Sequence, residues 1–197
     1  MAYSDFTLEK IKDDYNLDHE RVDFFKHPHR IVMPSAQLVD ILADNNQLPL
    51  LTEKAKSEFL ISPVLHELYR HNKKRFTIYS GFTFNVNETP FGYCDYLLGG
   101  KPASLTIATP VFCVVEAKNR SIEEGFGQCG AEMYAAWLFN ERAKNNVTTI
   151  FGAVTTGREW VFLRYEGDTL EIDFNRFSLA DLPQLLGALQ TVVDTYQ

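Results

Sequence analysis

The chain has 197 residues, 45% of them hydrophobic and 23% charged, and a formal net charge of −7. That length suits one domain, large enough to bury a core without disulfides or a structural metal. The acidic balance argues against indiscriminate coating of nucleic acid, which needs an overall basic surface, yet it leaves room for a local basic groove.

The opening MAYSDFTLEK is polar and acidic where a secretory signal would be basic and then apolar. No window reaches the roughly 18 apolar residues that span a bilayer. We therefore read the chain as cytoplasmic, with no membrane partner. Residues 5–15 are expected to be helical, with Ser4 or Asp5 as cap and Phe6, Leu8, Ile11 and Tyr15 on one face. HPHRIVMP at 27–34 reads as a connection. Ser35 should cap a short helix over 35–44 with Leu38, Ile41 and Leu42 inward, and Thr52 a longer one over 53–71. Pro63 should kink that helix or restart it, with Ser62 as a new cap and Pro63 at the first helical position.

The texture then changes. FTIYSGFTFNV (76–86) and FGYCDYLLG (91–99) are β-branched and aromatic, separated by a turn at Asn87-Glu88-Thr89-Pro90. GGKP (99–102) is a second turn, and SLTIA reads either as a short strand or as an ordered loop. PVFCVVEAK (110–118) is a continuous apolar run ending in charge, the pattern of a central strand buried on both faces. A helix over 122–143 follows, then strands near 147–155, 158–165 and 169–174, and a last helix over 179–195. The step from 110–118 through 122–143 to 147–155 reads as a βαβ crossover. The order predicts one α/β domain, a mixed sheet flanked by helices on both faces, with residues 1–50 as a helical N-terminal extension packed on it. Cys94, Cys113 and Cys129 show no CxxC spacing and read as small buried hydrophobes.

Asp95 stands inside an aromatic strand, where a carboxylate needs a partner. Glu116 and Lys118 are two apart at the end of the buried run, so on a strand they share a face. They could form a merely structural ion pair. Two carboxylates from neighbouring strands could also hold one hard cation, helped by a backbone carbonyl such as that of Ala117, and the acidity of the chain suits such a site. Lys118 beside them could position or deprotonate a water and balance charge on a phosphate.

Asp95 on one strand, then Glu116-Ala117-Lys118 ending the next, followed by a helix, resembles the PD-(D/E)XK nuclease superfamily. The resemblance covers residues 53–175, and Cys94 stands where the motif's proline would be. It implies a restriction endonuclease-like sandwich as one nuclease-like domain over 1–197. It also implies Mg²⁺ (with Mn²⁺ as substitute), DNA as partner, and a homodimer among duplex-cutting members. By the same resemblance Glu58 on the preceding helix completes the metal shell with Asp95, Glu116 and Ala117, with Glu67 as the competing candidate. Gln128, one turn before Glu132, would orient the nucleophile that Lys118 serves. The stretch EAKNRSIEEGFGQCGAEMYAAW is also similar to small uncharacterised bacterial, notably cyanobacterial, members. The activity expected is Mg²⁺-dependent hydrolysis of DNA phosphodiesters. The alternative is a catalytically inactive module of the same fold that binds nucleic acid or a protein.

Other features have plainer readings. Lys73-Lys74-Arg75 could touch phosphates or simply end a helix in solvent. Lys101, Arg120 and Arg158 are weaker phosphate candidates. His27 and His29 read as a surface loop rather than a metal pair. Phe82, Phe84, Phe91, Tyr93 and Tyr96 read as core rather than base-stacking platforms. Glycines 125, 127 and 130 would let substrate or sheet backbone come close. No GxxxxGKS loop or GxSxG turn is present.

Overall fold

A computed structural model describes residues 1–25, 29–73, 75–86, 91–100 and 105–196. A 3₁₀ turn, Tyr3–Asp5, leads into helix α1 (Leu8–Tyr15). Thr7 caps α1, accepting from the Lys10 amide at 3.3 Å, in place of the expected Ser4 or Asp5. Asp5 is engaged elsewhere, since its carboxylate accepts from the Ala2 amide. Residues 18–22, read as part of a helical extension, instead form strand β1 (Asp18–Val22). Ser35 caps α2 (Ala36–Asn45) as expected, and Leu38 and Leu42 are buried. Ile41 faces outward instead, because α2 packs on its neighbours only along the Leu38–Leu42 line.

Thr52 caps α3 (Glu53–Lys56) as expected, its hydroxyl accepting from the Ala55 amide. A π-helical turn, Ser57–Ile61, then joins α4 (Ser62–His71). Ser62 is not a new cap. It is itself helical, and its amide donates to the Ser57 carbonyl across the wide turn. Pro63 has no N–H to give, and the wide turn absorbs the missing bond while the helix continues. Glu67 is buried and accepts from both the amide and the hydroxyl of Ser35 at 2.7 and 3.0 Å. It therefore fastens the start of α2 to α4, which accounts for this carboxylate structurally.

The remaining elements are β2 (Thr77–Thr83), β3 (Tyr93–Gly99), β4 (Val111–Ala117), α5 (Phe126–Arg142), β5 (Thr149–Thr155), β6 (Glu159–Glu166), β7 (Thr169–Asp173), β8 (Phe177–Ser178) and α6 (Leu182–Asp194). Residues 105–108 form no strand. The turn expected at 87–90 and Lys101-Pro102 of the next turn lie outside the described residues, as do His27, Lys74 and Lys101.

The eight strands form one mixed sheet in the order β1-β7-β6-β5-β4-β3-β2, with β8 also on β6. β4 and β5 run parallel across the α5 crossover, and β1 pairs parallel with β7. The other neighbours are antiparallel. One apolar layer gathers Leu38, Leu65, Phe112, Phe162 and Leu189 under α2, α4 and α6. The other gathers Ile11, Val114, Met133 and Leu163 under α1 and α5. The fold is thus α/β, a mixed sheet covered by helices on both faces.

β4 lies in the interior of the sheet and all seven of its residues are buried. That is why it reads as an unbroken apolar run. The three cysteines are buried and unpaired with one another. Phe84 and Tyr96 are core, but Phe91, just before β3, and Tyr93, at its start, are exposed. Among the described residues no helix is long and apolar enough to cross a membrane.

Candidate metal centre

β3 and β4 pair with Tyr96 opposite Val115 and Leu97 opposite Val114. The regular pairing ends there, with Asp95 and Glu116 as the next residues of the two strands. Asp95 Oδ2 accepts from the Ala117 amide at 2.8 Å, so a side chain takes the place of a ladder carbonyl where the two strands part. Period-two alternation then puts Glu116 and Lys118 on the face covered by α5. Lys118 Nζ donates to Glu116 Oε1 at 2.6 Å and to Gln128 Oε1 at 2.8 Å. Gln128 Nε2 donates to Glu132 Oε1 at 3.1 Å, one turn along α5. Asp95, Glu116, Lys118 and Gln128 are therefore brought together, with Glu132 behind them.

Glycine makes this approach possible. A Cβ on Gly125 would lie 2.5 Å from Val154 Cγ1 and about 3.1–3.2 Å from the Lys118 stem. At Gly127 it would lie 2.3 Å from the Phe6 carbonyl oxygen. The close neighbours are side chains of the sheet and of α1 and backbone of the N-terminal segment.

The cluster holds more acid than its one ammonium can balance. Glu116 and Glu132 are both buried. Burial first, and then the charge of Asp95, push the Glu116 carboxyl up to about 8 against the pull of Lys118. Burial and the charge of Glu116 hold Glu132 well above the usual carboxylate range. Burial also raises Asp95, opposed by the Ala117 amide and by Lys118. Lys118 is raised in spite of its burial, because Glu116 attracts and accepts from it. Two buried carboxyl oxygens, Glu116 Oε2 and Glu132 Oε2, have no hydrogen-bond partner among the described residues. Such oxygens cost on the order of 1–3 kcal/mol each when left unmet.

α3 and the π turn close the site from the other face. The Tyr96 hydroxyl lies 2.7 Å from the Ser57 hydroxyl and donates to the Ser57 carbonyl at 2.9 Å. Lys56 Nζ donates to the Asn119 carbonyl at 2.5 Å. Between them lies a cavity of about 320 Å³ lined by Glu53, Ser57, Glu58, Ser80, Asp95 and Tyr96 among others. Glu58 shares this cavity with Asp95 but is ion-paired to Lys54 at 3.1 Å and half exposed. From this side of the site, the charge that reaches both Glu116 and Lys118 is that of Glu53, in the first turn of α3. Sequence reasoning passed over Glu53, although its place directly after the Thr52 cap was a usable sign. Ala117 contributes its amide to Asp95. Among the described residues no group of three or more His, Cys, Asp or Glu side chains is set to hold a metal ion. His29 packs edge-on against Phe177, as a loop residue would.

Neither a scan against protein-family models nor a search of curated proteins found a match. The functional reading therefore stands on the geometry of this chain.

Proposed function

We propose that the chain is a Mg²⁺-dependent phosphodiester hydrolase acting on DNA, with a restriction endonuclease-like sandwich of the PD-(D/E)XK type. One observation carries the reading. Asp95, on β3, accepts from the Ala117 amide beside Glu116 on β4, and its charge reaches Glu116; the Lys118 ammonium sits on one Glu116 oxygen, while the other is buried and has no hydrogen-bond partner among the described residues. Two carboxyls that together hold a proton at neutral pH, in a place where neither is fully solvated, are a donor set for a hard divalent cation. Asp95 and Glu116 would hold the ion, with Glu53 or Glu58 at the mouth of the cavity. The bound ion would supply Lewis acidity at the phosphoryl oxygen and make a coordinated water more acidic.

The chain's own residues do the rest. Lys118 keeps a proton and a positive charge beside the place where phosphate charge builds up. Gln128, engaged at both ends of its amide, holds the Lys118 side chain in line. The Ala117 amide fixes the Asp95 carboxylate against the end of β4.

The test is a melting experiment with Mg²⁺ or Mn²⁺, paired with cleavage of plasmid, linear and single-stranded DNA. A ligand that binds the native state raises the melting temperature, and Asp95→Asn should remove that rise together with cleavage. A second reading, a catalytically silent module of the same fold, is favoured by the lack of a third convergent ligand among the described residues. An unchanged melting temperature and intact DNA would select it.

A further inference from the structure

A second polar cleft of about 680 Å³ opens beyond the C-terminal ends of β4 and β5. Arg120, Ser121, Thr156, Arg158, Arg176 and Ser178 are among the residues that line it. Arg176 is committed to Glu123 and Glu159, which line the cleft as well, so the surplus of positive charge rests on Arg120 and Arg158. Arg120 and Arg158 are exposed, and neither side chain has an ion-pair partner among the described residues. Two unpaired guanidinium groups on adjoining loops, in a chain of net charge −7, form a local cationic spot against an acidic background.

Their placement ties the spot to the candidate metal centre. Arg120 comes two residues after Lys118, and Arg158 follows β5, whose Thr155 carbonyl accepts from the Lys118 amide at 2.8 Å. Lys56 bridges the two regions by donating to the Asn119 carbonyl. From β3, which carries Asp95, to β5 is two strand spacings, roughly 10 Å. The axial rise per nucleotide is ~3.4 Å, and because the backbone winds around the axis successive phosphates lie further apart than that, so the distance spans roughly one to two phosphates of one strand. Guanidinium is weakly hydrated and matches two phosphate oxygens at once, which suits it to a repeated backbone anion.

The geometry points to this cleft as a seat for the phosphate backbone of DNA, with Arg120 and Arg158 contacting phosphates flanking the one presented to Asp95 and Glu116. This rests on the nuclease reading for its substrate, and the experiment separates the two. A short labelled duplex is titrated onto the Asp95→Asn protein, alone and carrying Arg120→Glu with Arg158→Glu, at several salt concentrations. The charge reversals should weaken binding at least tenfold and flatten the salt dependence. Arg120→Gln with Arg158→Gln should weaken it less, and Arg21→Glu, on the far edge strand, should leave it unchanged. Both cleft arginines are exposed, and equal melting temperatures will establish that the variants fold. Full-strength binding by the charge-reversed protein would overturn the cleft while leaving metal-dependent cleavage untouched. Arginine-dependent binding by a wild-type chain that cleaves nothing would uphold the cleft and overturn the nuclease reading. A duplex that does not bind at all would overturn both.

Discussion

Gln128 stands between Lys118 and Glu132, accepting from the first at 2.8 Å and donating to the second at 3.1 Å. An amide has both a donor and an acceptor end, so it can relay orientation between a cation and a carboxyl without carrying charge itself. The orientation of the ammonium is therefore fixed by a carboxyl on α5 that touches neither Asp95 nor solvent directly.

That relay makes Glu132 testable without disturbing the fold. Glu132→Gln conserves volume and a polar end, and burial together with the charge of Glu116 already disfavours the ionised carboxyl, so its cost should stay under about 1 kcal/mol. Glu132→Ala leaves a cavity and unpairs Gln128, which should cost about 2–4 kcal/mol. Urea melts of the two variants check the pair. An equally severe Glu132→Gln would mean that the buried carboxyl is charged.

Stability should depend on pH through Glu116. Its native carboxyl holds a proton up to about 8, against 4.5 for the ordinary group. Between those limits the native state binds more protons than the unfolded chain, so the contribution is intact below the lower value and is lost as pH rises through the higher one. The metal-free protein should lose stability from about pH 5 to about pH 8. A divalent cation needs the carboxylate, so the melting shift caused by Mg²⁺ should grow over the same range. Melting curves across that range, with and without Mg²⁺, read both slopes.

Lys118→Met keeps the apolar stem but removes the ammonium. Cleavage should fall by about 10²-fold or more. The Mg²⁺-induced melting shift should persist, because Asp95 and Glu116 remain. Parallel activity and melting assays separate the two effects.

Gly127→Ala drives a methyl group into the Phe6 carbonyl and the Thr7 backbone. The N-terminal segment must then lift from α5, at a cost of about 1–3 kcal/mol. Hydrogen exchange should show faster exchange in α1 than in β4.

Much of this architecture was legible from residue order. The run Val111–Ala117 announces a doubly buried strand because both its faces are apolar, and the spacing of Glu116 and Lys118 places them on one face by pleat alone. Asp95 drew attention as a carboxylate among aromatics, and its side chain accepts from the amide of Ala117, the residue after Glu116. What the order of residues hid has physical causes. β1, Asp-His-Glu-Arg-Val, is charged and almost wholly exposed, and only backbone pairing to β7 makes it a strand. The π turn arises because Pro63 withholds a donor, a demand that sequence reading met with a cap instead. The burial of Glu132 depends on how closely α5 lies on the sheet, which glycine packing decides. The reach of Glu53 depends on how α3 docks, through Lys56, Ser57 and Tyr96.

The pairing of β1 with β7 sets an order of events during synthesis. Asp18 lies opposite Thr169 and Val22 opposite Asp173, so a strand made early waits for a partner made some 150 residues later. Through that interval it emerges with bare hydrogen-bonding groups that any neighbouring chain could capture. Its run of charges, which conceals it as a strand, also keeps it from pairing with strangers before its own mate arrives.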